Sequence, residues 1–286
     1  ALDTFFSAEY RLNNLLYSYP KPYAAFIDGV IMGGGMGLAQ GADLRIVSER
    51  TKMAMPETNI GLFPDVGGGF FLSRCPGHLG EYLALTGQML IGDEALSAGL
   101  ADGIAASESM PDLWASLTTN TQLTAAQRFE QLADLICAPS PITAPAWLDP
   151  QIDSIFALPT VMAIINALEQ ASNDNDWAAQ TLQCLRQRSP LMLHVTLEQI
   201  RRGRQLSMAD DLRMERNIVH HCFHTQHLGR SGKTSETVEG IRALAVDKDH
   251  APNWTPPRIE DITNEMVAPF FSSPWPADQH PLKDLD

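Results

Sequence analysis

Residues 23–37 read Tyr23-Ala-Ala-Phe-Ile-Asp-Gly-Val-Ile-Met-Gly-Gly-Gly-Met-Gly37. Tyr23–Ile27 is an apolar run of the length of a buried strand, and Leu38–Ala42 can start a helix beyond the glycines. A strand that passes through glycines into a helix points to an α/β fold. Glycines at such a junction let backbone N–H groups approach a ligand, and a helix N-terminus favours developing negative charge. That is the physics of an oxyanion hole, although a tight turn is the plainer reading of Gly33-Gly-Gly35 taken alone. It is not a dinucleotide fingerprint, because Gln40 stands where the pattern needs glycine. Gly232-Lys-Thr234 has the tail of a phosphate loop, but His227 occupies the position of its first glycine.

Working outward, Leu44–Val47 and Met53–Met55 read as strands, and Gly67–Gly69 leads into a helical Phe70–Leu72. Leu79–Leu85 and Glu94–Leu100 predict helices, with a short strand near Ile104. Beyond about residue 110 the strands fade. Leu113–Leu117, Ala125–Ile136, Val161–Leu168, Trp177–Leu185, Leu191–Arg201 and Leu212–Cys222 carry helical periodicity, and Pro139, Pro141, Pro145 and Pro150 mark a linker. The expected organisation is an α/β core over 1–122 and a helical region over 123–286. Upstream of the opening stretch, 3–19 reads as an amphipathic helix. Asp3 stands at its N-cap, Phe5, Leu12, Leu15, Leu16 and Tyr19 form its apolar stripe, and Pro20 and Pro22 end it. Glu9 falls inside that stripe. It is a stripe-edge carboxylate with its tip in water, or one aimed at a cleft.

The 286 residues carry 34 acids and 20 bases, a net charge of −14. That argues against a nucleic-acid binder and against a polybasic membrane-surface protein. No apolar run approaches the roughly 20 residues that span a bilayer. Cys75, Cys137, Cys184 and Cys222 are far apart with no CxxC pair, which fits a reducing compartment better than a disulfide framework or zinc ribbon. The first residue is Ala1 rather than Met, and the chain opens directly in a helical pattern.

Met55-Pro-Glu57 is followed eight residues later by Asp65, with Ile60, Leu62, Phe63 and Pro64 between. Carboxylates set among apolar neighbours are candidates for desolvation, which raises their pKa and suits proton transfer near neutrality. A solvated Glu57 and a helix-capping Asp65 are the equally weighted plainer reading. His220, His224 and His227 fall at spacings of four and three on a helical pattern, as a metal site could use. With no partner carboxylate in view, their place near a helix end explains them better, and no metal is assigned.

Taken together, Lys21–Gly29, Met32–Gly37, Ala54–Thr58 and Gly61–Gly69 resemble the crotonase (enoyl-CoA hydratase/isomerase) superfamily, and within it the 3-hydroxyisobutyryl-CoA hydrolases. Glu239–Asp249 and Pro252–Pro256 are similar to that subfamily's helical C-terminal extension. The resemblance covers most of the chain, with 110–185 the least diagnostic, and it implies a spiral of ββα units. Carried over by position, it puts substrate and catalytic roles on Glu9, Gly34, Glu57 and Asp65. Gly34 N–H would donate to the thioester oxygen. Glu57 would attack the carbonyl or activate water, while Asp65 and Glu9 would hold a substrate hydroxyl.

Hydratases use two glutamates, one matching Glu57 and one three residues after the oxyanion glycine, where this sequence has Gly37. Asp65 supplies a carboxylate where hydratases commonly have glycine. The resemblance therefore implies thioester hydrolysis in valine catabolism, with CoA as part of the substrate and no separate cofactor. Another crotonase activity, or an inactive CoA-binding fragment, is the alternative. The family's second oxyanion N–H comes from an upstream Ala-Gly-Gly-Asp-type turn, so this sequence is expected to be the later part of a longer chain. Arg45, Arg50, Lys52 and Arg74 are in the half of the chain that would meet CoA phosphates, but surface solvation is the default for each. Superfamily members often form trimers or hexamers, which leaves a homo-oligomer open. The implied location is the cytoplasm, or mitochondria in a eukaryote.

Overall fold

The computed structural model describes residues 2–119, 122–136, 145 and 147–286. Cys137, Pro139 and Pro141 lie outside the described residues. The strands are β1 (Ala24–Ile27), β2 (Val30–Met32), β3 (Leu44–Val47), β4 (Lys52–Ala54), β5 (Leu90–Ile91) and β6 (Gly103–Ile104). They form two three-stranded sheets, ordered β1-β3-β6 and β2-β4-β5. β1 pairs parallel with β3, from Ala24 opposite Leu44 to Ile27 opposite Val47, and β2 pairs parallel with β4. Successive strands of each ββα unit thus go to different sheets, and successive units stack. This is the crotonase-like spiral that the resemblance implies.

In the α/β part, the helices are α1 (Leu2–Tyr17), α2 (Gly34–Ala39), α3 (Gly68–Leu72), α4 (Leu79–Thr86) and α5 (Glu94–Ser97). The helical part adds α6 (Met110–Thr119), α7 (Ala125–Leu135), α8 (Gln151–Phe156), α9 (Val161–Ala171), α10 (Asp176–Gln187), α11 (Pro190–Gly203), α12 (Met208–Phe223), α13 (Glu236–Ile241) and α14 (Asn264–Val267). Ser189, with Pro190 following it, starts α11, and Ser207 starts α12. Each serine side chain accepts an orphan N–H of the first turn.

Several expectations shift. Asp3 lies inside the first turn of α1 rather than at its cap, and α2 begins at the glycines themselves, four residues before Leu38. On α1 the predicted stripe does not face the core: Phe5, Leu12 and Leu15 are exposed, whereas Tyr10, Asn13 and Asn14 are buried. The reason is packing, since α1 sets the side that carries Phe6, Tyr10 and Asn13 against α2 and α12. One apolar core runs from Tyr10 and Ile27 through Phe63, Leu85 and Ile165 to Leu197, Ile218 and Leu282. A smaller cluster joins Leu44 and Ile46 of β3 to Met110, Leu132 and Ile136. In the main core α11 packs on α3 and α4, and α12 packs on α1 and α3. The helical region therefore backs the elements that carry the candidate site.

Candidate active site

Glu57, Asp65, Glu9 and the Gly33–Gly34 backbone come together from four segments. β4 ends at Ala54, and a single 3₁₀ turn over Glu57–Ile60 aims Glu57 inward. α2 starts from Gly33, whose φ of 51° suits glycine and whose carbonyl accepts from Met36 N–H at 2.8 Å. The first N–H groups of a helix have no intrahelical acceptor, so Gly34 N–H is free to donate elsewhere. A Cβ placed on Gly33 would lie 3.3 Å from Glu57 Oε1, and one on Gly34 would lie 3.0 Å from Glu9 Oε1. The two glutamates thus abut successive glycines.

Asp65 follows Phe63 and Pro64 in a buried turn, and its Oδ2 accepts from Tyr10 Oη at 2.8 Å. This is not the helix cap that its place before Val66 suggested. Burial, with the charge of Glu9 adding, pushes the Asp65 carboxyl up to about 7 against the pull of the Tyr10 hydroxyl. Burial and then the charge of Asp65 hold Glu57 well above the usual carboxylate range, and Glu57 Oε2 is buried with no hydrogen-bond partner among the described residues. Half-buried Glu9 is raised by desolvation. Val66, next to Asp65, has a φ of 57°, an outlier for a β-branched residue. Strain of this kind gathers at functional sites.

At Gly37, where the resemblance puts a hydratase's second glutamate, a Cβ would sit 2.6 Å from both Asn13 Nδ2 and Val66 Cβ, so a side chain has no room there. A family model described as enoyl-CoA hydratase/isomerase matches residues 1–271. The chain belongs to that family.

A relative named 3-hydroxyisobutyryl-CoA hydrolase, mitochondrial, from Xenopus tropicalis is 38% identical over 278 residues, covering 94% of this chain and 68% of its own. A small ribosomal subunit protein mS47 from Arabidopsis thaliana is also 38% identical, over 274 residues, covering 94% of this chain and 65% of its own. Among solved structures, a carnitinyl-CoA dehydratase from Mycobacterium thermoresistibile superposes with a TM-score of 0.82 at 33% identity, covering all of this chain and 77% of that one.

Sequence reasoning missed Tyr10. An aromatic residue at helical spacing reads as core, and only its grouping with Asn13 and Asn14 on one polar face signals otherwise. Of the cations in the half of the chain that would meet CoA phosphates, Arg45 pairs with Asp102, Arg50 with Asp28, and Arg74 donates to the carbonyls of Phe70, Gly203 and Leu206. Lys52 is exposed.

The three histidines do not share a helical face, because α12 ends at Phe223 and His227 lies in a later 3₁₀ turn. His220 stacks on His224 at 4.0 Å near Asp3, but Asp3 already accepts from buried Arg216, whose charge opposes a metal cation. Gly232–Thr234 is a 3₁₀ turn rather than a strand-to-helix phosphate loop. No described helix is long and apolar enough to cross a membrane.

Proposed function

We propose that this family member hydrolyses a CoA thioester, with 3-hydroxyisobutyryl-CoA as substrate and valine breakdown as its setting. One observation carries the reading: Glu57 and Asp65 are desolvated beside the Gly33–Gly34 backbone, while the place of a hydratase's second glutamate is taken by Gly37, Asn13 and Val66. Gly34 N–H donates to the thioester oxygen as charge develops there. Asp65 and Glu9 hydrogen-bond the acyl hydroxyl, whose single proton goes to Asp65. Glu57 acts by one of two balanced routes. As a carboxylate it attacks the carbonyl and expels the CoA thiolate, and water then splits the mixed anhydride; alternatively it takes a proton from the water that attacks. No cofactor beyond the substrate's own CoA enters either route. The name of the Xenopus relative supports a mitochondrial location over a cytoplasmic one for this chain too.

The test is thiol release from a panel of acyl-CoAs by the wild type and by Glu57→Gln. Turnover that depends on Glu57 supports the reading, and no thiol release from any member sinks it. A single turnover in labelled water separates the routes, because only the anhydride route leaves the label on Glu57. The similarity to mS47 supports a second reading, a non-catalytic place in a ribosomal subunit, and the charge of −14 weighs against RNA contact. Thioester binding without turnover, unchanged by Glu57→Gln, would favour it. A hydratase or dehydratase activity would appear as conversion without thiol release.

A further inference from the structure

We propose that Glu215 of α12 is a positioning residue for Asp65, and that with its neighbour Arg216 it registers the two arms of the site and so sets selectivity for a hydroxylated acyl group. The selectivity clause rests on the hydrolase reading; the clamp itself does not.

The first arm is the turn Pro64–Phe70, which carries Asp65. Glu215 Oε2 accepts from Gly67 N–H at 2.8 Å, and its Oε1 accepts from Gly69 N–H at 3.0 Å. Gln199 Nε2 of α11 donates to the same Oε1 at 3.0 Å and to the Pro64 carbonyl at 2.6 Å. Asp211 Oδ2 accepts from Phe70 N–H at 2.9 Å. Glu215, Asp211 and Gln199 are all fully buried. The turn is thus held on both sides of Asp65 from elements more than a hundred residues away.

The second arm is α1, which carries Glu9 and Tyr10. Arg216, also fully buried, donates from Nε to Ser7 Oγ at 3.0 Å and from Nη2 to Asp3 Oδ1 at 2.6 Å. Two successive residues of one helix therefore hold the two segments that meet in the Tyr10–Asp65 hydrogen bond.

Capping a helix does not require this. A local serine or asparagine would satisfy the start of α3, yet Gly67 stands there with no side-chain cap. Instead two buried carboxylates do the work, and among the described residues neither forms an ion pair. Burial drives Asp211 up to about 7 and Glu215 well above the carboxylate range, so the desolvation of the pair works against its charge. An arrangement this costly to desolvate, around a backbone strained at Val66, fits a turn whose position must be fixed.

The experiment compares wild type with Glu215→Gln, which keeps the shape but sets an amide N–H against a backbone N–H. The ratio of kcat/KM for 3-hydroxyisobutyryl-CoA over isobutyryl-CoA should fall about tenfold or more. Amide hydrogen exchange across residues 62–74 should quicken. If Glu215→Gln is folded and leaves both readouts unchanged, the proposal is overturned, even if the variant melts earlier. If it does not fold, Arg216→Gln takes its place, with a fall in the same ratio supporting the proposal and an unchanged ratio overturning it. If the wild type releases no thiol from either thioester, the hydrolase reading fails alone. Exchange and the relative binding of the two thioesters then decide the clamp.

Discussion

Replacing Tyr10 by phenylalanine removes one hydroxyl and leaves the ring in its buried place. The lost bond is Oη to Asp65 Oδ2, 2.8 Å long, between two buried groups. A hydrogen bond to a charged group contributes about 1.5–3 kcal/mol. At about 1.4 kcal/mol per pKa unit, losing it should raise the Asp65 carboxyl by about 1–2 units from its value of about 7. The sign follows from the chemistry, because the hydroxyl donates to the ionised form and its loss favours the proton.

The other groups that bear on Asp65 are Glu9, Glu57, Glu215 and buried Cys222, all unchanged by the substitution. Glu57 titrates as well, so the rate of one substrate mixes the two carboxylates. The pH profile of kcat/KM reports the free enzyme, so in its ratio for 3-hydroxyisobutyryl-CoA over isobutyryl-CoA the free-enzyme titration of Glu57, common to both, drops out and Asp65 is read as hydroxyl acceptor. In the wild type that ratio should climb with pH through about 7. In Tyr10→Phe the climb should move up about 1–2 units, so the ratio at pH 7 should drop about five- to fifty-fold and recover in alkali. A midpoint that stays in place, or an equal loss at every pH, would refute the assignment of Asp65.

Asp65→Asn should abolish selectivity for the hydroxyl and yet raise stability in alkali. The folded carboxyl binds its proton more tightly than an unfolded aspartate, whose pKa is 3.8, so stability is fully present below that pH and is lost as pH rises through about 7. The gain at pH 8 is bounded by about 4 kcal/mol and should vanish near pH 4, as read by Tm at each pH. Gly34→Ala should fold normally, since the added methyl meets only the mobile end of Glu9 at 3.0 Å. It should lower the hydroxyl selectivity ratio while shifting Tm by no more than about 1 kcal/mol-equivalent, and a collapse of Tm would contradict this. Gly37→Glu should lose about 1–3 kcal/mol in denaturant titration and gain no hydration of an enoyl thioester, because Asn13 and Val66 fill that space.

The parts of the site legible in sequence were those where chemistry dictates residue type. Glu57 and Asp65 stand out because two acids inside an apolar block have few structural uses, and Gly33–Gly35 because only glycine gives backbone that close an approach. Glu9 was visible as a misfit in a helical stripe, although the stripe itself was misjudged. With Phe5 and Leu15 outside and Asn13 inside, α1 inverts the usual pattern, and periodicity has no means of showing it. β2 and β5, at three and two residues, are too short to display a period. Glu215 and Asp211 were illegible for a different reason. Acids in the polar half of an amphipathic helix read as solvated, and their N–H partners lie 141 to 148 residues away in sequence.

The two raised carboxylates are not independent, and that bears on how recognition becomes catalysis. Asp65 has Tyr10 to support its charge, whereas Glu57 Oε2 has no partner among the described residues and faces the charge of Asp65. Environment therefore sets them apart, with the charge of Asp65 supported by a hydroxyl and that of Glu57 opposed by its neighbour. Either proposed route needs Glu57 ionised. A substrate hydroxyl donating to Asp65 disperses the charge that opposes the ionisation of Glu57 and so eases the step that arms it. An acyl group without the hydroxyl leaves that repulsion intact. Under the hydrolase reading, discrimination should then appear in kcat as well as in KM, because the hydroxyl changes the protonation of the reacting group besides anchoring the substrate.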